Sequence, residues 1–407
     1  MSPEDRAREF DAADPLAPYR ARFTLPEGVI YLDGNSLGAL PRATVEVLRR
    51  VVEQEWGEGL IRSWNDAGWF AMAGRVGAKI APLIGAAPDE VIACDSTSVN
   101  LFKLIAAALK MRPGRTVILS EPGNFPTDLY MIAGLEAQGL ATRRLAPREA
   151  LAGALDDDVA LLLLTHVHYK TGAMHDMAAL TRAAHDAGAL VLWDLSHSTG
   201  AVPVDLNGVG ADFAVGCGYK YLCGGPGAPA FAFVAARHQS ALRQPLTGWF
   251  GHAAPFVFSD DYVPAPGIAQ LQCGTPPVLG LAALEVGVEL IAAIGVGRLH
   301  QKSQALSEFF LESLKAHDVV LELVSPARVS DRGSQLSFRH ANAYAICQAL
   351  IARGVIGDFR DPDVLRLGFA PAYLSFADIA AAARQLAAVL ASGEWQRPEF
   401  GRRAAVT

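Results

Sequence analysis

Between about residues 90 and 235 the chain repeats one pattern, a short run of almost uninterrupted apolar residues followed by a longer Ala- and Leu-rich stretch. "EVIACDS", "TVILSE", "VALLLLTHV", "ALVLWDLS", "DFAVGCGYKY" and "APAFAFVA" read as strands. "VNLFKLIAAALKM", "PTDLYMIAGLEAQ" and "HDMAALTRAAHDAG" between them read as helices. Strands with no polar face are buried on both sides. Their alternation with helices predicts an α/β fold, a mostly parallel central sheet flanked by helices.

After "PPVLGLAALEVGVELIAAIGVG" the texture changes to "VVLELVS", "GSQLSFRH", "NAYAICQALIARG" and "VLRLGFAP", which predicts a smaller α+β domain. The large domain is expected at 51–284. The small one is expected at 1–50 plus 285–407, with the Pro-rich residues 1–50 irregular and packed against it. A chain of 407 residues, 51% of them hydrophobic, suffices for two cores. The net charge of -7, with no Lys/Arg cluster, argues against a nucleic-acid partner. No apolar run approaches the length of a membrane span, and the start "MSPEDRAREFDAADP" lacks the apolar core of a signal peptide. With five scattered cysteines, the expectation is a cytoplasmic protein with no membrane partner.

In open parallel sheets ligands bind beyond the carboxyl ends of the strands. Thr97 and Ser98 follow "VIACD" and open a helix, while Phe125 and Asp128 lie in "GNFPTDLY". Thr165 ends "VALLLL", Asp194 and His197 lie in "DLSHS", and Tyr219 and Lys220 end "FAVGCG". Each has a bland reading. Thr97 and Ser98 are helix caps, the aspartates are turn residues, and Phe125 is core. His166, His168 and His197 are satisfied histidines, and the spacing of the first two is weak evidence for metal. What raises the set above these readings is that all of them fall at one sheet edge.

Lys220 is one of only seven lysines and sits between two tyrosines in "GCGYKYLCGGPG". The glycines read as room for a ligand to approach closely. A phosphate suits the N-terminus of the helix after Ser98. A buried carboxylate holds a positive ring nitrogen, worth roughly 4 kcal/mol at about 4 Å and an effective dielectric of about 20, before desolvation. A lysine forms an imine with an aldehyde once it loses its proton, which a dry pocket beside a cationic ring favours. Phosphate, pyridinium and aldehyde together describe pyridoxal 5'-phosphate.

The chain resembles the kynureninases, pyridoxal-phosphate enzymes of the aspartate-aminotransferase structural class (fold type I). The resemblance covers most of the length. It lies in "YLDGNSLGALP" (31–41), "NFPTDLY" (124–130), "HVHYKTG" (166–172) and "WDLSHSTGAVPVDL" (193–206). It continues in "GCGYKYLCGGPGAPAFAFV" (216–234), "LTGWFGH" (246–252), "CGTPPVLG" (273–280) and "DFRDPDVLRLGFAPAYLSF" (358–376). An Asp-x-x-His with a downstream lysine indicates only the broad class, whereas "GNSLG" with "YKYL", "GWFGH" and the Arg366 motif is far more specific.

The resemblance implies hydrolysis of L-kynurenine to anthranilate and L-alanine in tryptophan catabolism. Lys220 would hold the cofactor covalently and Asp194 would face its ring nitrogen, with His197 supporting either. Phe125 would stack on the ring, Asp128 and Thr165 would meet its polar edge, and Thr97, Ser98 and Tyr219 would bind phosphate. Trp249 and Thr275 match cofactor contacts that reach the site from a neighbouring subunit, which implies a homodimer with shared active sites. Thr275 departs from the asparagine of some relatives. Tyr219 is the implied proton donor, and Arg366 the clamp on the substrate α-carboxylate, in place of its bland reading as a solvated residue of an edge strand. Asn35 and Ser36 would lie close by. Trp64, Gly274 and Thr275 would line the aromatic subsite, where an indole favours kynurenine over 3-hydroxykynurenine. The rivals are another fold-type-I lyase or aminotransferase, for instance one of cysteine-desulfurase type. A binding protein that keeps the fold, or a metal protein using His166, His168, His175 and His197, are further alternatives.

Overall fold

The computed structural model describes residues 2–403. Three two-residue strands open the chain, β1 (Phe23–Thr24), β2 (Ile30–Tyr31) and β3 (Leu40–Pro41). The first fifty residues are less irregular than expected, because their prolines start helices rather than break them. Ser2 caps the helix Pro3–Ala13 by accepting from the Asp5 N–H, with proline in its first turn, and Pro41 precedes the helix Arg42–Arg50.

The central sheet has seven strands: β4 (Val91–Ala93), β5 (Val117–Ser120), β6 (Thr142–Leu145), β7 (Val159–Thr165), β8 (Leu190–Asp194), β9 (Phe213–Gly216) and β10 (Phe231–Val234). Their order is β4-β10-β9-β8-β7-β5-β6, and β10 alone runs against the others. Every residue of β7, β8, β9 and β10 is buried, as expected of strands covered on both faces. The carboxyl ends of β7 and β8 are in register, with Thr165 opposite Asp194. β9 stops at Gly216, so Tyr219 and Lys220 sit in the turn beyond the strand rather than within it.

A second sheet follows, built from β11 (Glu322–Leu323), β12 (Gln335–Arg339), β14 (Asp358–Arg360) and β15 (Val364–Gly368), while the short β13 (Val355–Ile356) stands apart from it. Its order is β11-β12-β15-β14, all antiparallel. "VVLELVS" shrinks to two strand residues because Val320 is 94% exposed and has no partner strand to cover it. β15 is an inner strand and Arg366 is buried in it, so the reading of a solvated edge residue fails. β13 pairs in parallel with β2 from the other end of the chain. The helices Val278–Ile294 and Val296–Ala316 meet at 78° across Gly295. The first packs on the helices before β4, the second on Phe376–Ser392. Among the described residues no single helix is long and apolar enough to cross a membrane.

Candidate active site

Beyond the carboxyl ends of β7, β8 and β9 lies a cavity of about 210 Å³. Its walls include Thr97, Ser98, Phe125, Thr165, Asp194, His197, Tyr219 and Lys220, all singled out from the sequence. Ser96, Thr127, Tyr169 and Ser196 complete it and were not.

The cap of the helix Thr97–Met111 is Ser96, whose hydroxyl accepts from the Val99 N–H. The capping role suggested for Thr97 and Ser98 is thus already filled. Their hydroxyls make no hydrogen bond, and their N–H groups belong to the first turn, which has no intrahelical acceptor. A helix start with free hydroxyls and N–H groups on a cavity wall is a place for an anion.

Asp194 accepts from the Ser196 N–H at 2.7 Å through one oxygen, and burial pushes its carboxyl above the usual range. Asp128 lies just behind. Thr165 Oγ1 donates toward Asp128 at 3.0 Å and toward Asn124 at 2.6 Å, while Asp128 Oδ1 is buried with no partner. Burial, reinforced by the Asp194 charge, raises Asp128 well above the carboxylate range. Two buried carboxyls with spare acceptor capacity favour a cationic group between them and the cavity.

Lys220 Nζ lies 3.0 Å from His197 Nε2, 5.6 Å from the centre of the Phe125 ring and 5.8 Å from that of Tyr219. Burial, then the Lys220 charge, depresses His197 far below its ordinary pKa, so at neutral pH its Nε2 accepts from Lys220. The other ring nitrogen, Nδ1, is buried and unpartnered. Burial raises Tyr219 as well, which keeps its hydroxyl protonated.

Three of the glycines around Lys220, Gly216, Gly218 and Gly224, make room for protein rather than for a ligand. A Cβ on Gly218 would fall 2.3 Å from the Pro229 carbonyl and 2.9 Å from Leu284, so this glycine lets the turn pack on protein rather than admit a ligand. From the other side Gly38 N–H donates to the Tyr219 carbonyl at 2.8 Å, and a Cβ there would lie 2.2 Å from the Lys220 carbonyl. The "GNSLG" backbone therefore lies directly on the lysine turn.

Asn35, Ser36 and Arg366 gather beside the cavity. Arg366 on β15 faces Asp358 on β14, and its Nε donates to Asp358 Oδ1 at 2.8 Å while Nη2 meets Oδ2. Nη1 donates to the Tyr169 carbonyl at 2.6 Å and Nη2 to Ser36 at 2.8 Å. Asn35 donates to Gln335 at 3.3 Å. Sequence reasoning passed over Asp358 and Arg360, although both stand in the quoted motif, and over Tyr169, which no spacing rule marks.

The remaining residues are not brought to the cavity within one chain. Trp64 packs on Trp69 and Phe250, and Trp249 packs on Phe250 with 41% of its surface exposed. Gly274 and Thr275 are exposed on a loop whose Cys273 carbonyl lies against the Gly248 backbone. The histidines weighed as metal ligands have protein partners instead: His166 has Ser198, His168 the Gly123 carbonyl and His175 Glu121.

These groups fit pyridoxal phosphate: a free helix start for its phosphate, a buried carboxylate for its ring nitrogen and a lysine for its aldehyde.

A family model described as the kynureninase C-terminal domain matches residues 299–386. The chain is 51% identical over its whole length, and over all of the relative's, to a kynureninase of Burkholderia mallei (strain SAVP1). It is 48% identical, again with full coverage of both, to a kynureninase of Pseudomonas fluorescens. Among solved structures it resembles an apo cysteine desulfurase from Thermococcus onnurineus NA1, with TM-score 0.78 and 18% identity over 92% of this chain and 98% of that one. A C-DES mutant with glycine linked covalently to its pyridoxal phosphate gives TM-score 0.79 and 17% identity over 90% and 98%. At these identities the structural likeness concerns the fold.

Proposed function

The chain belongs to the kynureninase family, and we propose that the cavity beyond β7, β8 and β9 is where it works. Its reaction is the hydrolysis of L-kynurenine to anthranilate and L-alanine, and its cofactor is pyridoxal phosphate. The observation that carries the assignment of the site is Lys220 Nζ, held 3.0 Å from a neutral His197 in a cavity walled by Asp194 and a free helix start.

Pyridoxal phosphate supplies an electron sink for carbanion chemistry when bound. Asp194 would hold positive charge at the cofactor's ring nitrogen, and Thr97 and Ser98 would take its phosphate. Lys220 Nζ moves the substrate α-proton, and neutral His197 orients it by accepting a hydrogen bond from Nζ at Nε2. Tyr219, kept protonated by burial, donates to the β-carbon as the Cβ–Cγ bond breaks. Water supplies the oxygen that leaves on anthranilate and the hydrogen that balances alanine. Arg366 supplies the charge that draws the α-carboxylate, with one Nη1 N–H left beyond its bonds to Asp358, Ser36 and Tyr169.

We assign Trp249 and Thr275 to the active site of a second subunit. Supporting this, neither lines its own chain's cavity, and Trp249 packs on an exposed aromatic patch of Phe70, Phe256 and Phe258. Trp64 belongs to the same patch and serves as a wall of the aromatic subsite, so kynurenine is preferred over its 3-hydroxy derivative. If replacing Trp64 with His brought no gain for the hydroxylated substrate, that assignment would fall.

A desulfurase reading of the same fold is disfavoured, because the cysteines flanking Lys220 are buried, Cys217 at 4% and Cys223 at 5% exposure, where no persulfide carrier can reach a partner. The deciding experiment follows anthranilate fluorescence and alanine release after mixing holoenzyme with L-kynurenine. Equal amounts of both, lost in Lys220→Ala, are expected. Turnover retained by Lys220→Ala would overturn the site.

A further inference from the structure

The group beside the cavity contains two guanidinium ions, buried Arg366 and partly exposed Arg360, and two carboxyls, half-buried Asp33 and buried Asp358. Asp358 bridges the cations, taking Nε and Nη2 of Arg366 and, at 2.5 Å, Nη2 of Arg360. Ser36 Oγ accepts from Nη2 of both arginines, at 2.8 and 3.1 Å, and donates to Asp358. With the Tyr169 carbonyl on its Nη1, every nitrogen of Arg366 is engaged.

Arg360 is different. Its Nε–H is buried and meets no acceptor, and its Nη1 makes no hydrogen bond. Its charge reaches Tyr169, Tyr219 and His197, three groups of the cavity wall. The charges do not cancel either. Arg366 holds Asp358 ionised, whereas burial and the Asp358 charge push Asp33 up to about 7. With Asp33 neutral, two cations face one anion in a cluster that is buried apart from the partly exposed Arg360 side chain, an imbalance that another anion would relieve.

We propose that Arg360 is a second carboxylate-binding residue, supplying the open guanidinium donors for the substrate α-carboxylate while Asp358, Ser36 and Tyr169 fix Arg366 in place. This rests on the reading that the α-carboxylate binds at Arg366, and adds to it. Arg360 sets carboxylate affinity and Arg366 sets the orientation.

The test compares L-kynurenine with its decarboxylated analogue, 1-(2-aminophenyl)-3-aminopropan-1-one, as a competitive inhibitor of the holoenzyme. In Arg360→Met the KM for kynurenine should rise about 10- to 100-fold, the size of one lost charge-assisted contact, with the loss falling on KM rather than kcat. The Ki of the carboxylate-free analogue should stay within about twofold, the error of such a comparison. Arg360→Lys, which keeps the charge and loses the fork, should give an intermediate KM, and it carries the test if the methionine variant does not fold. An unchanged KM in both variants, or a KM and Ki that rise together, would overturn the proposal. Arg366→Lys, measured alongside, separates the two readings. If it moves the KM-to-Ki ratio and the Arg360 variants do not, Arg366 acts alone. If none of them moves the ratio, the carboxylate binds elsewhere and both readings fail.

Discussion

At the scale of single residues, burial in the proposed site favours the neutral form of its ionisable groups. Tyr219 is the simplest case, a phenol whose proton burial retains. Tyr219→Phe should keep the cofactor absorption while kcat falls about 10²- to 10⁴-fold, the range for loss of a general acid. Asp33 is subtler. It faces Asp358, Arg360 and Arg366 on the small sheet, Ser36 on its own turn, and four groups that burial holds neutral, Tyr31, Tyr221, Tyr373 and Cys347. Below pH about 7 it is protonated and the cluster carries a net positive charge. As pH rises through that value Asp33 ionises, the surplus charge disappears and a carboxylate binds less well. The KM for kynurenine should therefore climb above pH about 7, and in Asp33→Asn it should not, as steady-state profiles on the two proteins will show. This residue was invisible in the sequence because an aspartate before "GNSLG" looks like a turn former. Its environment comes from strands near the other end of the chain.

At the scale of elements, the strands were legible and the turns were not. β7 and β8 announce themselves as apolar runs because both faces are covered, so burial writes itself into every position. The helix Pro3–Ala13 left only a cap and a proline as its trace, since just one of its residues, Ala7, is buried. The helix predicted over "VNLFKLIAAALKM" starts two residues earlier, at Thr97, and its cap is Ser96 rather than Thr97 or Ser98 of the bland reading, which matters. With Ser96 as cap, the next two hydroxyls are free for an anion. Ser96→Ala should cost about 1 kcal/mol of stability and weaken cofactor binding as well. Thermal unfolding of the apo- and holoproteins checks both, since the two forms should lose unequal amounts. The lysine turn teaches a similar lesson. Glycine spacing showed that something approaches closely, but only the fold shows that it is Pro229, Leu284 and the 34–38 segment.

For the whole molecule, the sequence disclosed the sheet and the cavity it carries because strand ends are a topological property. It said little about how the second sheet supports the cavity. That link is the 166–174 segment, whose Tyr169 and Lys170 carbonyls accept from Arg366, Gln335 and Ser337. The exposed aromatic patch makes a prediction at this scale. Phe256→Glu combined with Phe258→Glu should shift sedimentation toward the monomer and make specific activity fall on dilution. Mixing Lys220→Ala with Trp249→Ala should restore activity, because a mixed dimer would then contain one intact site. Failure of mixing to restore any activity would place Trp249 outside the shared site.

The pairing of β2 with β13 brings together pieces of chain synthesised at very different times. The segment that presses Gly38 onto the lysine turn is made before the central sheet, and the strand that steadies it only after that sheet. During synthesis the central sheet can assemble while its covering strand has nothing to pair with, and long-range pairing of this kind is slow. Lys220 is thus made before the strand that fastens its cover, and while residues 221 to 354 are added the lysine turn has only an unfastened segment over it.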